Sequence, residues 1–137
     1  MEEIIKEIAE LIDCNDVVYL HKETHEFLSY PVPGEGGYGS DEFDYLMQEV
    51  MDVVDFAPDM YIRIDPLDSH ASYQIMEAFV ETVKDERLQG RLQGALTSRK
   101  PFRQFRDVVE TARVEEAWYA YRGAYLQMYV RDRIGEE

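Results

Sequence analysis

Ile75-Met76-Glu77-Ala78-Phe79-Val80-Glu81-Thr82-Val83 sets Ile75, Met76, Phe79, Val80 and Val83 three and four residues apart, the spacing that lines one face of an α-helix. The same period continues downstream, where Leu88, Leu92, Ala95 and Leu96 form a second stripe after a joint near Lys84-Asp85. Pro101 suits the first turn of another helix, with Phe102, Phe105, Val109 and Ala112 on one side. Val114, Trp118, Tyr121, Tyr125 and Met128 make a final stripe that fades by Gly135. The apolar face drifts between Ala112 and Val114, which favours a break there over one long helix. Asp68 and Ser69 are placed to cap the start of this helical half, beside His70.

Upstream the pattern is mixed. Ile4, Ile5, Ile8, Leu11 and Ile12 recur among Glu and Lys and predict an amphipathic helix over about residues 2–13. Val17-Val18-Tyr19-Leu20 and Phe27-Leu28-Ser29-Tyr30 are β-branched and aromatic runs around a polar turn, the signature of a β-hairpin. Pro31 to Gly39 holds two prolines and four glycines and predicts a loop. Ser40 or Asp41 would then cap a helix whose apolar face is Phe43, Leu46, Met47, Val50, Val53 and Val54. Tyr61-Ile62-Arg63-Ile64 alternates, as a third short strand would. The expected fold is therefore mainly α: a multihelical single domain over residues 1–137 with a small antiparallel hairpin near the N-terminus.

A chain of 137 residues with 45% apolar and 12% aromatic content can bury an ordinary core without disulfides or metals. Cys14 is the only cysteine, so no internal disulfide or cysteine cluster for zinc can form, and its acidic surroundings oppose thiolate formation. Acidic residues follow Met1 where a signal peptide needs basic ones, and no apolar run has the length of a membrane span. A cytoplasmic location without membrane insertion is expected.

The charge is segregated. Residues 1–68 hold 18 Asp or Glu against Lys6, Lys22 and Arg63, which accounts for the whole net charge of −15, whereas residues 69–137 hold 11 of each sign. Inside the second half, Lys84, Arg87, Arg91, Arg99, Lys100, Arg103 and Arg106 outnumber Asp85 and Glu86. On a helix starting at Pro101, Arg99, Lys100, Arg103 and Arg106 converge near an N-terminus, where free backbone donors also favour anions. Three uses of this block compete: binding a polyanion, docking an acidic protein, or pairing with the acidic half. A net charge of −15 opposes nucleic-acid binding, which ranks below internal pairing.

Other motifs carry less. Gly34-Glu35-Gly36-Gly37-Tyr38-Gly39 matches G-x-G-x-x-G before a helix, but the prolines break the strand such a site needs and Glu35 would occupy the phosphate cradle. His21 and His25 flank the hairpin turn with Glu23 and Glu26 nearby, and a third metal ligand is not evident. Asp41, Glu42, Asp44, Asp65 and Asp68 lack the spacing of a calcium loop and fit solvent and cap positions. No serine elbow is present, and no cofactor is implied. Trp118, Tyr119, Tyr121, Tyr125 and Tyr129 fit a core-and-boundary stripe, with Tyr119 and Tyr129 expected to be exposed.

Ile64-Asp65-Pro66-Leu67-Asp68-Ser69 leading into Ile75 to Val80, then Lys100-Pro101-Phe102-Arg103-Gln104-Phe105-Arg106-Asp107, then Trp118-Tyr119-Ala120-Tyr121-Arg122, resembles the uncharacterised bacterial protein family UPF0158 over about residues 15–130. The resemblance implies a largely helical domain with a small hairpin and brings no established activity. Function is thus unknown from sequence. The expectation is a non-enzymatic interaction or regulatory module with a protein partner. The rival is an anionic small-molecule or phosphate-binding protein or enzyme with a site around Arg103, Arg106, Trp118 and Arg122, and the candidate binding residues on either reading are Arg99, Lys100, Arg103, Arg106, Trp118 and Arg122.

Overall fold

The computed structural model describes residues 1–32 and 41–135. The glycine-rich segment and the Ser40 cap, together with the Asp41 side chain, lie outside the described residues. Among the described residues the fold is six α-helices and one three-stranded antiparallel sheet, divided into two compact units, residues 1–67 with 126–137 and residues 68–125.

The first unit is built on the sheet. Helix α1 (Glu2–Asp13) leads through Asn15, held at φ 69° where Asn is one of the few residues at ease, into β1 (Asp16–His21). β2 (Phe27–Pro31) returns beside β1 with Val17 opposite Tyr30 and Tyr19 opposite Leu28. β3 (Tyr61–Ile64) pairs on the other side, Val18 opposite Ile64, so the order is β2-β1-β3 and β1 is central. Pro31 is tolerated because β2 is an edge strand. Pro31 thus closes a strand instead of opening a loop, and next to it Val32 N–H donates to the Asn15 carbonyl at 3.0 Å and Asn15 Nδ2 donates to the Val32 carbonyl at 3.2 Å.

Burial along β1 is continuous from Val17 to Leu20 because helices cover both faces. On one face Val18, Leu20 and Ile64 pack with Ile5, Ile8, Ala9 and Ile12 of α1 and with Leu126 and Val130. On the other, Val17, Tyr19 and Tyr30 pack with Val50 and Val54 of α2 (Asp41–Phe56). A 3-10 turn, Pro58–Met60, links α2 to β3. Val53 departs from the expected core face of α2: it is 48% exposed, and Met51, on the opposite flank of the stripe, packs inward instead.

The second unit is helical. α3 (Ser69–Thr82) starts at Asp68, whose Oδ1 accepts from Ala71 N–H at 2.8 Å. α4 (Glu86–Leu96) starts at Asp85, whose Oδ1 accepts from the Arg87 and Leu88 amides. α5 (Pro101–Ala112) ends at Arg113, which at φ 58° and ψ 45° turns the chain left-handed and separates it from α6 (Glu115–Ile134). The break falls where the apolar face drifts. Ile75, Met76, Phe79, Val80, Leu92, Leu96, Phe105, Val109 and Trp118 form the core residues of this unit. α6 changes its buried face: up to Tyr125 it serves the second unit through Trp118, and from Leu126 it serves the first through Leu126 and Val130. Tyr125 and Met128, expected in the stripe, are therefore exposed. Tyr129 reverses the other expectation: it is half-buried, and its hydroxyl donates to the Asp65 carbonyl at 2.7 Å.

Candidate functional site

The basic block occupies the start of α5. Phe105 and Val109 point into the core; Phe102, three residues before Phe105, lies on the same side of α5 but in its exposed first turn, with Arg103 and Arg106 following it and Arg99 and Lys100 just ahead of the helix. Arg99, Lys100, Arg103 and Arg106 are exposed, and among the described residues none of the four has a side-chain hydrogen bond or ion pair. Phe102 lies among them with 44% of its surface in water. Lys100 occupies the cap position without a side-chain cap bond, and the first turn of α5 holds no acidic residue. Asp85, upstream in the chain, is engaged as the cap of α4, and the nearest acids in sequence, Asp107 and Glu110, are exposed on α5 itself.

Trp118 and Arg122 do not share that surface. Trp118 is buried, its ring centroid 4.9 Å from Phe105 and 5.2 Å from Phe79 in edge-to-face contacts that specify the core of the unit. Arg122 is half-buried on α6 and engaged in interactions of its own. Of the six expected residues, Arg99, Lys100, Arg103 and Arg106 are thus exposed at the start of α5, and Trp118 and Arg122 are not. Two cavities open elsewhere on this unit. One of about 310 Å³ lies between α3 and α4, near Tyr73, whose hydroxyl donates to the Leu96 carbonyl at 2.8 Å. The other, about 600 Å³ and open, lies at the turn from α5 to α6 beside Glu110, Arg113 and Glu116. None of the six residues lines either cavity.

The first unit holds a polar network that the sequence does not announce. Arg63 Nε donates to Asp65 Oδ1 at 2.8 Å and Nη1 donates to the Tyr19 hydroxyl at 3.2 Å, with the Tyr30 ring tilted 31° to that of Tyr19 at 6.4 Å. The Asp65 hydrogen bond holds the Arg63 guanidinium protonated above its ordinary value, against the opposing effect of burial. Burial, with Tyr19 adding to it, pushes the Tyr30 hydroxyl up as well. Arg63 is isolated among acids in sequence, and Tyr19 is 44 residues away, so only pairing of β1 with β3 reveals the contact.

His21 serves the hairpin turn. Its Nδ1 accepts from the backbone amides of Glu23 and Thr24, both at 3.1 Å, which withdraws that nitrogen from metal binding. His25 sits at φ 64° inside the turn. Among the described residues no three His, Cys, Asp or Glu side chains group as a metal site, and no helix is long and apolar enough to cross a membrane.

Residues 3–135 match the uncharacterised protein family UPF0158, and the chain is a member of it. It is similar to the UPF0158 protein PA5073 of Pseudomonas aeruginosa, with 32% identity over 76 residues, 55% of this chain and 50% of that protein. The matched segment thus spans half the length of that relative. No solved structure matches.

Proposed function

We propose that this chain is a non-enzymatic cytoplasmic interaction module that docks an acidic protein segment on the outer flank of α5. The observation that carries this reading is the group of four exposed cations around Phe102, none of them neutralised by a neighbour among the described residues. A partner carboxylate there finds both charge pairing and the open amides at the start of α5, against the hydration that the exposed cations give up. The half-exposed ring supplies an apolar anchor, which gives selectivity beyond net charge. The small-molecule alternative has weaker support, because these side chains lie on a convex helix flank and a ligand pocket is concave.

Isothermal titration with a synthetic peptide of alternating Glu and Leu tests the reading. Wild type is expected to bind, and Arg103→Ala/Arg106→Ala to bind about tenfold more weakly, a loss of about 1.4 kcal/mol. Phe102→Ala, which leaves the charge unchanged, should weaken binding too. Equal affinity in wild type and the double variant, or affinity for inorganic phosphate matching that for the peptide, would refute docking of a protein segment here.

A further inference from the structure

Helix α2 presents an unpartnered face of the opposite charge. Its core side is Phe43, Leu46, Met47, Val50 and Val54, and directly across the helix Tyr45, Glu49, Asp52 and Phe56 recur at i, i+4, i+7 and i+11. Tyr45 is 65% exposed and Phe56 is 93% exposed, while Val53 extends the strip at 48%. A phenyl ring so fully in water, one turn from exposed Val53 and on the same face as exposed Tyr45 further along the helix, is a feature of interaction surfaces. The strip is set in carboxylates: α2 holds six Asp or Glu and no basic residue, inside a half of the chain that carries the entire net charge of −15.

That charge restricts the occupant. Nucleic-acid phosphates and anionic lipid headgroups are repelled, so whatever covers Tyr45 and Phe56 is cationic and brings an apolar group of its own. The flank of α5 has this chemistry, since Arg99, Arg103 and Arg106 surround the exposed Phe102. We infer that the α2 face of one copy docks the α5 flank of a second copy, an inference that rests on the reading of α5 as a site for acidic protein segments. Glu49 and Asp52 then meet Arg103 and Arg106, and Phe56 meets Phe102, while Tyr45, three helical turns away along α2, lies at the edge of the contact.

We take the contact as head-to-tail, in which one copy uses its α2 face and the other its α5 flank, so the assembly as a whole retains one free face of each kind. Association therefore grows with concentration. Contact charges lie within the Debye length of about 8 Å at physiological ionic strength, while repulsion between the acidic bodies acts over longer distances and is screened.

Sedimentation velocity on the full chain, from micromolar to millimolar, tests this. The expected result is a mass that rises with concentration for wild type and stays monomeric for Asp52→Ala/Phe56→Ala and for Arg103→Ala/Arg106→Ala. Mixing the two variants leaves one intact face on each, so the mixture should give a 1:1 dimer that grows no further. All four side chains are exposed, and unchanged far-ultraviolet circular dichroism verifies folding. A wild type that is monomeric throughout, a variant that associates like wild type, or a mixture that stays monomeric overturns the inference. A monomeric wild type that still binds the Glu/Leu peptide through Arg103 and Arg106 overturns self-association and leaves the α5 reading standing; loss of both removes both. A monomeric wild type that binds an Arg- and Leu-rich peptide through Phe56 assigns the α2 face to another protein, which also overturns self-association.

Discussion

Asp85 is charged, exposed and next to a basic block, yet its carboxylate spends its capacity on two backbone amides of α4. An amide left without such a partner costs more than a surface ion pair returns, so the cap decides its role. Asp85→Ala should lower stability by about 1 kcal/mol, measured by urea unfolding. Two other carboxylates act with opposite signs in pH. Glu2 accepts from Arg131, which lowers its pKa, so its contribution is present at neutral pH and is lost as pH falls through and below the usual glutamate range. Burial raises the pKa of Asp16, against the hydrogen bond from Ser29, so the folded state is favoured with Asp16 protonated and weakens as pH rises through and above the usual aspartate range. Thermal midpoints across the acid range should therefore show that Glu2→Gln loses part of the acid sensitivity of wild type, and that Asp16→Asn gains most relative to wild type at neutral pH.

At the scale of elements, burial sorts residues that the sequence pattern treats alike. Phe105 and Val53 both sit in apolar stripes, but Phe105 is 2% exposed against Phe79 and Trp118, and Val53 is 48% exposed. Phe105→Ala should cost about 3–5 kcal/mol, whereas Val53→Ser should change stability by no more than about 0.5 kcal/mol, both read from denaturant midpoints. The helices, the hairpin and β3 were legible because their periods are local, and the caps at Asp68 and Asp85 and Pro101 at the start of α5 mark boundaries directly. Val53 was misplaced because the period of 3.6 defines a stripe but not its edge: Met51 and Val53 flank Val50 and Val54, and packing on the sheet chooses Met51. The basic block was visible as a reversal of sign along the chain. The Tyr19–Arg63–Asp65 network was not, since strand pairing joins residues 44 apart, and the outer stripe of α2 stays hidden until its core face is known.

For the whole molecule, the question is whether two compact units behave as one folding domain, as expected from the length of the chain. Helix α6 bears on this directly, because Trp118 belongs to the core of one unit and Leu126 and Val130 to that of the other. A helix is cooperative along its length, so melting one end exposes unpaired carbonyls and amides in the turns that hold the other. Its shift of buried face, which left Tyr125 and Met128 in water, follows from serving two cores and is invisible to any single period. Trp118 is the only tryptophan, so its fluorescence reports residues 68–125 alone, while far-ultraviolet circular dichroism reports helices of both units. The two signals should unfold in one coincident transition. Val130→Ala, which cuts a fully buried side chain in the first unit, should cost about 2 kcal/mol and shift both curves together. A fluorescence transition left in place while the circular dichroism curve splits would show that the units fold separately and that α6 does not couple them.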